Sequence, residues 1–222
     1  MKKELLVTSL SRAAWADFAQ EWKSWVLLAA GGIVLMILSI SAQFYIPEYR
    51  HFAALFLCIP GAIFTAMLHQ NGLDAAYGRK LSMFSITPSI LFASLFFIAI
   101  SLYNPFPEYL EFLLLVFPED FQFLLAINWI IHILISYLLV RCMFVGMIIL
   151  EEKCNVLEAF RKSFRLTAHH LFLLLGIFIY LAIALALSAL TIVGYFIVLP
   201  YTILMKSLLF KKLNEIYLHK LI

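Results

Sequence analysis

The sequence predicts an all-α, polytopic integral membrane protein with six transmembrane helices and two amphipathic interfacial helices. Three observations lead there. Of 222 residues, 64% are hydrophobic and 13% charged, where an ordinary soluble domain is about half apolar and about a quarter charged. The charges gather in short segments between long apolar runs, so they cannot clothe a soluble fold, and soluble and disordered classes are excluded. Six apolar runs approach the length a helix needs to cross a hydrocarbon core of about 30 Å.

Taken in order, residues 1–24 form an amphipathic N-terminal segment. Trp15, Phe18, Trp22 and Trp25 recur at helical spacing on one face, while Arg12, Asp17, Gln20 and Lys23 fall elsewhere. Trp15, Trp22 and Trp25 are therefore expected as interfacial anchors. Lys2 and Lys3 precede an apolar run broken by Thr8, Ser9 and Arg12, a pattern unlike a cleaved signal peptide. The spans follow at about 25–46, 52–68, 84–103, 121–150, 171–189 and 191–210. The fourth continues apolar past Arg141, and the second and sixth are short. Only a weak break around Ser188 to Gly194 separates the last two, but a single helix of their joint length would overshoot the bilayer, so they form a hairpin. Pro60, Pro88 and Pro200 lie within or near the starts of spans, where proline can kink a helix.

Between the third and fourth spans, residues 104–120 carry Glu108, Glu111, Glu119 and Asp120 and no basic residue. The apolar piece 110–117 is too short to span and is expected to be interfacial or re-entrant, its neighbouring acids solvated. Residues 155–170 form the second amphipathic helix, a cytoplasmic elbow. Val156, Leu157, Phe160, Phe164 and Ala168 share one side, and Glu158, Arg161, Lys162 and Arg165 the other. Asn155 should cap its start, with Glu158 near the positive end of the dipole and pairing with Lys162 at spacing four. Arg161, Lys162 and Arg165 are candidate contacts for anionic lipid headgroups or a protein partner, beside the plainer reading as a solvated face.

Orientation follows from the basic residues, which cytoplasmic loops carry in excess. Lys2, Lys3, Arg12 and Lys23, then Arg79 and Lys80, then Lys153 to Arg165, then Lys211, Lys212 and Lys220 mark one side. The other side has Arg50 alone, so both termini are expected in the cytoplasm. A net charge of +3 is too small to imply nucleic acid.

Polar groups inside spans are costly and informative. Asn128, His132 and Ser136 recur every four residues as one stripe on the fourth span, which either lines a pathway or hydrogen-bonds to neighbouring helices. No span supplies a carboxylate partner for His132, which favours packing. Arg141 and Lys206, embedded near cytoplasmic helix ends, are expected to snorkel to headgroups. No GxSxG, HExxH or P-loop is present, so no catalytic residue, cofactor site or metal site is expected. His169 and His170, adjacent in sequence, would point about 100° apart on a helix and do not jointly chelate a metal. Cys58, Cys142 and Cys154 form no CxxC, and neither a disulfide nor a zinc site is expected.

The stretch from Phe144 to Leu213 contains MIILEEK, then VLEAFRKSFRLTAHH, then a long apolar hairpin, then VGYFIVLPYTILMKSLLFKKL. It resembles the C-terminal half of the YciC-like bacterial inner-membrane proteins and the related membrane domain found beside some glycerophosphodiester phosphodiesterases. Glu158, Ala159, Lys162, Ser163, Phe164, Gly194 and Pro200 carry the resemblance. It implies a six-helix protein of the bacterial inner membrane and no phosphodiesterase, whose catalytic domain has no counterpart here. The expected function is non-enzymatic: structural, envelope-homeostatic or partner-binding, with membrane lipids, a protein partner or a second copy as partners. The alternative is a small permease or oligomeric transporter subunit using the fourth-span stripe.

Overall fold

The computed structural model describes residues 7–45, 50–83, 85–101, 121–188 and 191–219. Among them there are helices and turns and no strand: α1 (Val7–Gln20), α2 (Trp22–Tyr45), α3 (Arg50–Ala76), α4 (Pro88–Ser101), α5 (Phe121–Cys142), α6 (Val145–Glu152), α7 (Val156–Thr167), α8 (Leu171–Ser188) and α9 (Ile192–His219). The all-α class holds. The acidic segment 104–120, with Glu108, Glu111, Glu119 and Asp120, lies outside the described residues.

Two helices organise the bundle. α3 packs against α2, α4, α6 and α9, and α9 also touches α1, α2, α7 and α8. Their contact is close at Gly72, where a Cβ would come within 2.5 Å of Ser207 Oγ and 2.7 Å of an Ile203 methyl. Gly31 and Gly32 on α2 admit the Phe64 ring in the same way. Small residues at helix contacts let backbones approach. The core gathers where the ends of α3 and α9 meet α1 and α6, around Ala66, Leu73, Met147, Ile148, Leu209 and Phe210.

The N-terminal segment divides differently from the sequence expectation. α1 ends at Gln20 and α2 begins at Trp22, so the aromatic face is split between two helices. Leu10, Ala14 and Phe18, four apart, form the buried face of α1. Tyr201 on α9 donates its hydroxyl to Ser11 Oγ at 2.8 Å, which fixes α1 along the last helix. Trp15 and Trp22 stay half exposed, but Trp25 is fully buried. Trp25 is thus a core residue rather than an interfacial anchor, because it sits inside the bundle among Leu28 and its neighbours.

Boundaries also shift. α3 continues past Leu68 to Ala76, because its polar residues beyond the apolar run find partners inside the bundle. α4 starts at Pro88, whose missing N–H is harmless in a first helical turn, after Thr87, whose Oγ1 accepts from Ile90 N at 3.3 Å. Phe84, the expected start of the third span, lies outside the described residues. The fourth run divides into α5 and the buried α6 at Met143 and Phe144. At that break Ser163 donates to the Arg141 carbonyl at 2.6 Å, drawing off a backbone acceptor that a continuous helix would use. The combined stretch Ile133–Glu152 is nonetheless long and apolar enough to cross a membrane. A second candidate among the described residues is the pair Val156–Thr167 and Leu171–Leu185, bent by 103°. Trp22–Leu35 and Pro88–Ile98 are shorter apolar stretches.

Candidate functional site

Beyond Leu68, α3 carries His69, Asn71 and Asp74, all buried. Each has structural work. The His69 ring N–H at Nδ1 donates to Thr65 O at 2.8 Å. Asn71 Nδ2 donates to Met67 O and Met83 O at 2.8 and 2.9 Å, and its Oδ1 accepts from Met83 N at 2.8 Å. That clamp holds Met83 at a left-handed φ of 51°, which a non-glycine residue seldom adopts. Asp74 takes the Gln70 amide at 3.0 Å and Arg79 Nε at 3.3 Å, and Arg79 reaches on to Glu151 at the end of α6. Lys211 Nζ donates to Ala76 O at 2.9 Å and lies over the Tyr77 ring. Burial, and behind it the Glu151 carboxylate, push the Tyr77 phenol up. Arg79 and Lys211, two of the basic groups between the apolar runs, are therefore consumed in tying helix ends together.

The elbow is the second polar region. Asn155 caps α7 as expected, its Oδ1 accepting from Glu158 N at 2.9 Å. Its docked face is not the expected one: Ala159, Ser163, Leu166 and Thr167 are buried, Phe160 and Phe164 are half-buried, and Leu157 is 60% exposed. Ser163 and Thr167 carry the polar part of that face, Thr167 Oγ1 donating to Ser163 O at 2.9 Å. Arg141 does not reach away from the bundle. Its Nη1 donates to Phe164 O at 3.0 Å and to Thr167 Oγ1 at 3.3 Å, and its Nε donates to Tyr137 OH at 3.1 Å. A cation at a helix C-terminus meets the negative end of the dipole. Lys162 pairs with Glu152 instead of Glu158, because α6 delivers that carboxylate to it, and it lies over the Tyr217 ring. Lys153 closes α6 with a left-handed φ of 53°. Burial first, then Glu152, push the Cys154 thiol up.

Arg161 and Arg165 remain exposed on the outer side of α7. Where α7 turns into α8, an open cleft of about 260 Å³ lies between the elbow and the end of α9. Arg165, His169, His170 and Tyr217 border it together with Leu166, Ala168, Leu213 and Ile216, and its lining is chiefly apolar. The sequence pointed to Arg165 but not to the histidines or Tyr217 as its neighbours, since nothing in spacing brings residue 217 to the elbow. The only legible signal was the coincidence of basic, imidazole and aromatic groups just before an apolar run.

Asn128, His132 and Ser136 lie at one-turn intervals on α5, which packs against α7 and α8. The side chains of Asn128 and His132 are outside the described set; Ser136 is exposed, beside exposed Ile133 and Tyr137. Ser136 does not border the elbow cleft. Among the described residues no three His, Cys, Asp or Glu side chains gather to hold a metal ion. The arrangement suits capture of an anion by charge and hydrogen bonding over an apolar floor. Comparison with family models, curated proteins and solved structures finds no match for this chain.

Proposed function

We propose that this chain is a six-span protein of the bacterial inner membrane, with both termini cytoplasmic, acting without catalysis as a structural, envelope-homeostatic or partner-binding component. On this reading it groups with the YciC-like proteins that its elbow and final hairpin resemble. One observation carries the reading: α2, α4, α5 and α8 turn large apolar side chains outward, while buried polar side chains such as His69, Ser94 and Thr202 bond to carbonyls of their own helix. Val34, Phe92, Ile133 and Leu187 are each more than half exposed. Such a surface is stable against lipid and unstable against water. The partners are membrane lipids together with a protein partner or a second copy.

Impermeant thiol labelling tests the topology. In a cysteine-free background, a cysteine replacing Glu111 should label in cells whose outer layer is permeabilised, and one replacing Lys80 should label after the inner membrane is opened. The reverse pattern would overturn the orientation. Purification in mild detergent should bring down a stoichiometric protein or a second copy. A tightly retained solute transported by liposomes carrying the protein would instead establish the permease reading, for which the exposed Ser136 edge of α5 offers a subunit contact.

A further inference from the structure

We infer that the cleft at the α7–α8 elbow is a binding site for the headgroup of an anionic phospholipid. The inference rests on the membrane reading above and adds a ligand to it. Two features of the cleft converge. The residues that border it include cationic or hydrogen-bonding ones: Arg165, His169, His170 and Tyr217. Arg161 lies exposed on the same side of α7, and neither arginine makes an ion pair among the described residues. Lys162, by contrast, is neutralised by Glu152. The remainder of the lining is apolar, with Leu166, Leu213 and Ile216. Immediately beyond it, α8 presents Phe172 at 88% exposure, the most exposed large apolar side chain described.

A free inorganic anion would use the charges and leave the apolar floor empty. A phospholipid uses both: its phosphate meets Arg165 and His169, and its glycerol and first methylenes lie on the floor and along Phe172. The 103° bend between the two helices sets these two environments side by side, as an amphiphile requires. Basic groups at a membrane surface attract anionic lipids additively.

The full chain in nonionic detergent is incubated with phosphatidylglycerol or phosphatidylcholine, and retained lipid is read by native mass spectrometry. Phosphatidylglycerol should be retained about tenfold or more over phosphatidylcholine, and Arg165→Gln should lower its retention about fivefold, with His169→Gln lowering it further. Ile216→Trp should reduce retention by filling the floor with every charge in place. Lys80→Gln, outside the lining of the cleft, should leave retention unchanged. Melting profiles and size exclusion check each variant, and Arg165→Gln, being an exposed substitution, supplies a folded case even if the double variant fails. Equal retention of the two lipids, or retention unaffected by both Arg165→Gln and Ile216→Trp, would overturn the site. Displacement of the lipid by inorganic phosphate alone would also overturn it, assigning the charges to a free anion. None of these outcomes alters thiol labelling at positions 80 and 111, so failure here is separable from failure of the membrane reading.

Discussion

A single buried amide, that of Asn71, satisfies both the N–H and the carbonyl of Met83 and returns a bond to its own helix. Replacing it by leucine keeps the volume and strands two backbone groups, at a cost of about 1–3 kcal/mol for each unsatisfied buried group. Asn71→Leu should lower the melting temperature in detergent and open the connection beyond Ala76 to trypsin at Arg79 and Lys80. An unchanged cleavage rate would show that the clamp does not hold that segment. Cys154 offers a chemical readout. Its thiol is raised by burial and then by Glu152, so less thiolate is present near neutral pH than for an ordinary cysteine, and the thiolate is the reactive species. In a protein carrying Cys58→Ser and Cys142→Ser, alkylation at pH 7 should run slower than for a free peptide thiol and rise only at higher pH. Glu152→Gln should speed it. Alkylation at the peptide rate would contradict the raised value.

Which face of a helix docks was the least legible feature in the sequence, and α7 shows why. The cap at Asn155, the length of the helix and its amphipathic character were all readable, because caps and periodicity are local. The docked face is nevertheless turned toward Ala159 and Ser163, away from Leu157 and Ala168. In apolar surroundings large side chains gain nothing by turning inward, and helix contacts select small residues and hydroxyls. Against water the largest apolar residues mark the inside, and by that rule alone Leu157 and Phe164 would face the bundle. The same reasoning accounts for α3, whose polar end looked like the start of a loop until α9 and the 79–83 segment supplied its partners. A paired substitution tests the turned face. Ala159→Leu should destabilise by about 1–3 kcal/mol through overpacking, while Leu157→Ala should stay within about 0.5 kcal/mol. The opposite ranking, measured by thermal unfolding, would restore the face that the apolar pattern indicated. Gly72→Val should act like Ala159→Leu, because its Cβ would overlap the Ser207 hydroxyl and the Ile203 methyl.

Across the whole molecule, composition together with the lengths of the apolar runs made the all-helical class readable. What pattern could not supply is which helices meet, and here the first and last described helices meet each other. The protein should stay with the membrane fraction through an alkaline carbonate wash; release into the supernatant would defeat the integral reading. The bond from Tyr201 to Ser11 joins residues 190 positions apart, the longest separation among the side-chain bonds described. A ribosome adding about 5–20 residues per second needs about 10–40 s to cover that interval. During that time the first helix has emerged and the surface that buries Leu10, Ala14 and Phe18 has not yet been made. The opening segment must wait, attached to an interface or shielded by a chaperone, until the final helix arrives. A cysteine replacing Ala14 should therefore react with maleimide in nascent chains that stop short of Ile192 and become protected once α9 is complete.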